Sequence, residues 1–141
     1  MAPYSYSVSL RIFHPTIDPE EITKALSLAP VRTCKVGMPR ETPKGTRLEG
    51  EYRESYWYTK LVPEGERYSG DDLLEDFLSE TLATIRQYSE FFSKIQRESG
   101  YIQLFIGTFG ARNYVIELSP KMQAEFGSLG VALCFDVYPG E

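Results

Sequence analysis

Apolar and polar side chains alternate strictly from Tyr4 to Phe13. Tyr4, Tyr6, Val8, Leu10 and Ile12 fall on one side and Ser5, Ser7, Ser9 and Arg11 on the other, which predicts a strand with one buried and one wet face. Further along the period changes. Leu74, Phe77, Leu78, Leu82, Ile85, Tyr88, Phe91, Phe92 and Ile95 share one helical stripe. This spacing predicts a single long amphipathic helix from Ser69 to Gly100, with Ser69 and Asp72 as a capping pair, acids in the first turns, and Lys94 and Arg97 in the last. Burying side chains of this size contributes about 1.5–3 kcal/mol each before entropy is subtracted, so this helix is expected to be the main cover of the core. Its stripe is too wide for a coiled-coil seam.

The remaining elements follow from local signals. Asp18-Pro19-Glu20-Glu21 is a helix start, with Asp as N-cap and Pro in the first turn, and predicts a helix to about Leu28 with Ile22, Ala25 and Leu26 inward. Val31 to Val36 is expected as a second strand and Ser55 to Val62 as a third. Met38 to Glu54, with two prolines and two glycines, reads as one long irregular segment. Tyr101 to Phe109, apolar on both faces, is expected as a central fourth strand, and Tyr114 to Leu118 as a fifth, antiparallel to it. Ser119-Pro120 predicts a short helix to about Phe126, and Val131 to Tyr138 a sixth strand with its odd-numbered residues inward. The fold class expected is α+β: a mostly antiparallel sheet of about six strands, a ferredoxin-like βαββαβ core with a C-terminal βαβ extension, and helices on one face. Residues 1–141 are expected as a single domain.

Composition narrows the function classes. The net charge of −5 disfavours a nucleic-acid partner on electrostatic grounds. No apolar run is long enough for a membrane span, and MAPYSYSVSL lacks the basic region and apolar stretch of a signal peptide. Cys34 and Cys134 are far apart and in no CxxC motif, so both are expected as reduced thiols in a cytoplasmic protein.

Several stretches taken together resemble a known family. They are SVSLRI, DPEEITKALSLAP, the KxG turn at Lys35–Gly37, the aromatic strand Tyr56–Tyr58, the long helix, and the closing LGVALCFDVY. Over nearly the whole chain these are similar to the bacterial domain of unknown function 4279 family. The resemblance implies a small cytoplasmic bacterial α+β domain and brings no activity, cofactor or catalytic residue with it.

The residues point to no catalytic group, metal site or cofactor. His14 is the only histidine and sits beside Pro15 at a strand end, where a solvated loop histidine is expected. There is no GxGxxG and no GxxxxGK[ST]. Arg32, Lys35, Arg40, Lys44 and Arg47 form a locally basic stretch that can cradle an anion, unless it is simply a solvated loop. Trp57 reads first as a core anchor and second as a stacking platform. If all helices cover one face of the sheet, alternation places Ser5, Ser7, Ser9, Arg11, Tyr101, Gln103, Phe105, Glu117 and Asp136 on the other. The candidate ligand or partner face is therefore Arg11, Trp57, Tyr101, Gln103, Glu117 and Asp136. The leading expectation is a non-enzymatic module that binds a protein partner, in its most specific form an immunity-type protein that neutralises a toxin. The alternatives are a small-ligand-binding or enzymatic domain using the open face, with Arg11 holding an anion and Glu117 or Asp136 as base, and a structural homodimer.

Overall fold

The computed structural model describes residues 2–140. Its framework is a mixed, mostly antiparallel six-stranded sheet. In chain order the elements are β1 (Ser5–His14), α1 (Pro19–Leu26), β2 (Arg32–Cys34), β3 (Pro39–Glu41), β4 (Arg47–Glu51), β5 (Ser55–Lys60) and β6 (Arg67–Tyr68). Then come α2 (Leu74–Ile85), a 3-10 turn (Arg86–Tyr88), α3 (Ser89–Arg97), β7 (Tyr101–Gly110), α4 (Pro120–Leu129) and β8 (Val131–Pro139). The strands run in the order β2-β5-β1-β7-β8, and β6 adds a short pairing to the start of β1.

The alternation in β1 translates directly into burial. Tyr6, Val8, Leu10 and Ile12 enter the core, while Ser5, Ser7 and Arg11 stay partly open. The same core cluster receives Ile22 and Leu26 from α1, Leu74, Leu78 and Leu82 from α2, Ile95 from α3 and Phe126 from α4. All four helices therefore lie over one face of the sheet and the opposite face is bare. Asp18 caps α1 as its sequence predicts, accepting from the Glu20 N–H at 3.0 Å, and Ser119 caps α4 by accepting from the Met122 N–H at 3.1 Å. Ala25, expected inward, is exposed.

The segment 69–100 is not one helix. Ser69 belongs to the sheet margin: its hydroxyl accepts from the Tyr4 N–H at 2.9 Å, and its own N–H donates to the Tyr4 carbonyl. Asp72 is likewise occupied, paired with Arg67 at 3.1 Å. With both members of the expected capping pair used elsewhere, α2 begins only at Leu74. The helix is then interrupted at Arg86–Tyr88, although no Pro or Gly is present. There the Gln87 amide donates to the Thr84 carbonyl at 2.8 Å, and the Tyr88 hydroxyl donates to the Leu26 carbonyl at 3.0 Å, tying the break to the end of α1. At the far end Ser99 adopts the left-handed conformation (φ 67°). Gly100 is needed for a different reason: a Cβ there would lie 2.5 Å from Ile95 Cγ2 and 2.8 Å from the Ile95 carbonyl.

Two further expectations are corrected. Residues 39–51 fold into the β3-β4 hairpin instead of an irregular loop. Residues 114–118 form no strand. β7 instead takes β8 as its parallel neighbour, reached through the crossover helix α4, and that pairing fills the sheet position a hairpin strand would need.

Tyr6 gives the fold a pH limit. Its hydroxyl donates to the Asp72 carbonyl at 2.8 Å. Burial, and then the Asp72 charge, push its ionisation well above the ordinary tyrosine value of 10.0. The unfolded chain releases that proton near its ordinary value and the folded chain retains it. Tyr6 therefore stabilises the fold fully below about pH 10, and that contribution is lost as pH rises through the native-state value. The urea midpoint should fall between about pH 8 and about pH 11, and less steeply in Tyr6→Phe. Equal pH slopes in the two proteins would contradict the assignment.

Candidate functional site

The bare face of the sheet is assembled by register. Arg11 on β1 lies opposite Tyr58 on β5 and Gln103 on β7, Phe13 lies opposite Tyr56 and Tyr101, and Ser9 lies opposite Lys60 and Phe105. Across β7 the same face continues onto β8, where Cys134, Asp136 and Tyr138 stand beside Phe105, Gly107 and Phe109. The sequence thus places an aromatic band on a surface that no helix covers. Phe13 packs on Tyr56 (ring centroids 4.8 Å apart), Tyr56 leans on Tyr58 (5.6 Å), and Phe109 stacks on Tyr138 (4.9 Å).

Arg11 lies at the middle of this band. Its guanidinium sits 3.9 Å above the Phe105 ring centre and 5.2 Å from that of Tyr58. Its Nε donates to Ser9 Oγ at 3.1 Å, and among the described residues no carboxylate pairs with it. A cation held beside two rings, with its outer nitrogens free, is pre-positioned for a planar or anionic group. Next to it is a hollow of about 510 Å³ floored by Ser7, Ser9 and Gly107. Gly107 makes the hollow, because a Cβ there would meet Ser7 Oγ at 2.8 Å and the Phe109 ring at 3.3 Å. Lys60 lies on one wall, the turn carrying Glu64 and Glu66 on another, and Asp136 with Tyr138 on a third. The Tyr138 hydroxyl donates to Asp136, and this bond raises the tyrosine's ionisation above its ordinary value. The hollow can therefore offer both a cation and an anion to whatever enters it.

Of the six residues expected on this face, Arg11, Tyr101, Gln103 and Asp136 are there. Trp57 is not: it is fully buried on the helix side, and its indole N–H donates to Thr23 Oγ1 at 3.0 Å. Glu117 is not on the face either. It lies in the extended segment after β7, where its N–H donates to the Glu75 carboxylate on α2 at 3.1 Å. The basic stretch also fails to converge. Arg32 donates to the Glu41 carbonyl at 2.8 Å, Lys35 pairs with Asp18 at 3.4 Å, and Arg40 donates to the Glu49 carbonyl at 3.0 Å. A cleft beside the hairpin includes Arg32 and Lys35 but not Arg40, Lys44 or Arg47. Arg32 and Arg40 brace the β3-β4 hairpin, Lys35 ties to the start of α1, and the five do not form a common anion cradle.

His14 departs from expectation as well. It is buried, with Nδ1 accepting from the Thr16 and Ile17 N–H groups and Nε2 at 2.9 Å from Glu98 Oε1. Both ring nitrogens are committed to structure. Sequence reasoning missed Tyr58, Phe109, Gly107 and Tyr138 as members of the bare face. Alternation in β8 already separates Asp136 and Tyr138 from Phe135 and Val137, so Tyr138 was within reach. Gly107 and Phe109 continue the alternation of Tyr101, Gln103 and Phe105 along β7 and were within reach too, whereas Tyr58 required the strand register.

A sheet covered by helices on one side, with an aromatic band and a central stacked arginine on the other, defines an α+β domain with one open sheet face. The chain belongs to the family described as domain of unknown function DUF4279, which it matches over residues 4–140. No curated protein and no solved structure matches it. Among the described residues no helix is long and apolar enough to cross a membrane.

Proposed function

We propose that this chain is a cytoplasmic, non-enzymatic module that docks a protein partner on the bare face of its sheet, in its most specific form an immunity-type protein that neutralises a toxin. The observation that carries the reading is the Arg11–Phe105–Tyr58 stack at the centre of the aromatic band. Aromatic residues and arginine are the types enriched at the energetic centres of protein interfaces, and half-buried rings lose little conformational entropy when covered. The hollow over Gly107 gives a protruding partner side chain a place to insert. The net charge of −5, with Glu64, Glu66 and Asp136 at the rim, favours a basic partner and a salt-sensitive encounter. Cys34 and Cys134 are both free thiols, which suits a reducing compartment.

The test compares wild type with Arg11→Ala as bait in host extract at low and high salt. A protein retained by wild type, weakened by salt, and bound about 30-fold or more less tightly by Arg11→Ala is the expected result. Retention of no protein at either salt, or equal retention by both baits, contradicts the proposal.

A further inference from the structure

β8 ends the sheet, and among the described residues no strand pairs with its outer edge. Exposed edges in folded proteins are normally shortened, bulged or guarded by charge, because their free N–H and C=O groups template pairing with another chain. The opposite edge obeys this rule, since β2 has three residues. β8 does not. It has nine residues, its register with β7 runs without a bulge from Ile102↔Val131 to Gly110↔Pro139, and Asp136 is its single charge. Its helix-side residues grow more exposed toward the C-terminal end: Val131 is buried, whereas Phe135 is 38% and Val137 58% exposed. They border an apolar groove of about 600 Å³, closed on its far side by Tyr114, Ile116 and Leu118 of the segment after β7.

We propose that this edge pairs antiparallel with β8 of a second copy of the chain, joining two sheets into one across a twofold axis. The strand is complementary to itself. With the axis at Phe135 all nine residues are used and each side chain keeps its face. Leu133 then meets Val137 of the second copy and Phe135 meets its own mate, so the exposed apolar strip is covered by an identical strip and the groove beside it is narrowed. On the other face Ala132 meets Tyr138, and Cys134 meets Asp136 of the second copy. Moving the axis one residue later would instead set the two Asp136 carboxylates face to face, a like-charge pair that destabilises a sheet. The edge shares Asp136 and Tyr138 with the hollow but not Arg11, Tyr58 or Phe105, so two copies keep the stacked arginine of each open on the same side of a continuous sheet.

Mass in solution tests this. Wild type should sediment at twice the 16.1 kDa chain mass across the micromolar range. Val137→Lys replaces an exposed side chain, so it should fold normally and weaken association about 100-fold or more by placing two lysines in the paired apolar strip. Arg11→Ala should remain dimeric, which separates this inference from the docking surface. A second variant reads the register. Asp136→Cys places its new thiol opposite Cys134 of the second copy, and mild oxidation by air should yield a covalent dimer. A monomer at all concentrations, a dimer indifferent to Val137→Lys, or an Asp136→Cys protein that stays uncross-linked overturns the proposal. So does capture of a different protein's strand at this edge by a chain that remains monomeric alone.

Discussion

Trp57→Ala is expected to destabilise the fold by about 3–5 kcal/mol, a large share of the ~5–15 kcal/mol that holds a domain of this size together. Trp57 lies on β5 between Ile12 of β1 and Thr33 of β2, fully buried, at the point where α1 packs on the sheet. Truncation removes the largest buried side chain and leaves a cavity that β-branched neighbours on a paired strand cannot collapse to fill. It also orphans the Thr23 hydroxyl on α1, which now accepts from the indole N–H. The two contributions separate experimentally. Thr23→Val removes only the hydrogen bond and should cost about 1–2 kcal/mol, while Trp57→Phe should fall between Thr23→Val and Trp57→Ala. Urea denaturation of the three variants measures this. A loss below about 1.5 kcal/mol in Trp57→Ala would show that the position tolerates repacking and is not an anchor. Because Trp57 faces the helices, Trp57→Phe should leave partner binding unchanged. That contrast with Arg11→Ala tests the division of the sheet into a structural and a recognition face.

What the sequence made legible were the elements whose signals are local. The period-two run of β1, the Asp18-Pro19 start of α1 and the Ser119-Pro120 start of α4 are each written within a few residues and fold as written. The errors arose where a partner outside the element outcompeted the local signal. Ser69 and Asp72 look like a helix cap but are held by Tyr4 and Arg67. Residues 114–118 have strand composition, yet the sheet position beside β7 goes to β8, and Tyr114 stacks on Tyr4 at 4.8 Å. The candidate site divided in the same way. Arg11 and Asp136 follow from alternation within their own strands. Glu117 was placed by assuming a strand that does not form, and Trp57 was admitted for its ring although a lone tryptophan on a strand reads first as a core anchor.

His14 carries the other large effect. Its ring is 3% exposed and joins three segments: Nδ1 accepts from the Thr16 N–H at 3.0 Å and the Ile17 N–H at 2.8 Å, and Nε2 reaches Glu98, just past α3. Two N–H groups converging on Nδ1 require that nitrogen to be the acceptor. The proton is therefore on Nε2, which donates to the Glu98 carboxylate. His14→Ala leaves the Thr16 and Ile17 donors without a partner in the turn that feeds α1, at a cost of about 2–4 kcal/mol. The tautomer makes the prediction specific. The Asn side-chain oxygen can occupy the place of Nδ1 and accept from both N–H groups, whereas Gln can imitate only the far nitrogen that meets Glu98. His14→Asn should therefore recover more than half of the stability lost in His14→Ala, and His14→Gln clearly less. Glu98 is partly exposed, so Glu98→Gln, which keeps an acceptor for Nε2–H, should cost under about 1 kcal/mol. Chemical denaturation of the four variants ranks them. If Gln outperforms Asn, the Glu98 contact and not the turn is what His14 secures, and the anchoring role assigned to Nδ1 is wrong.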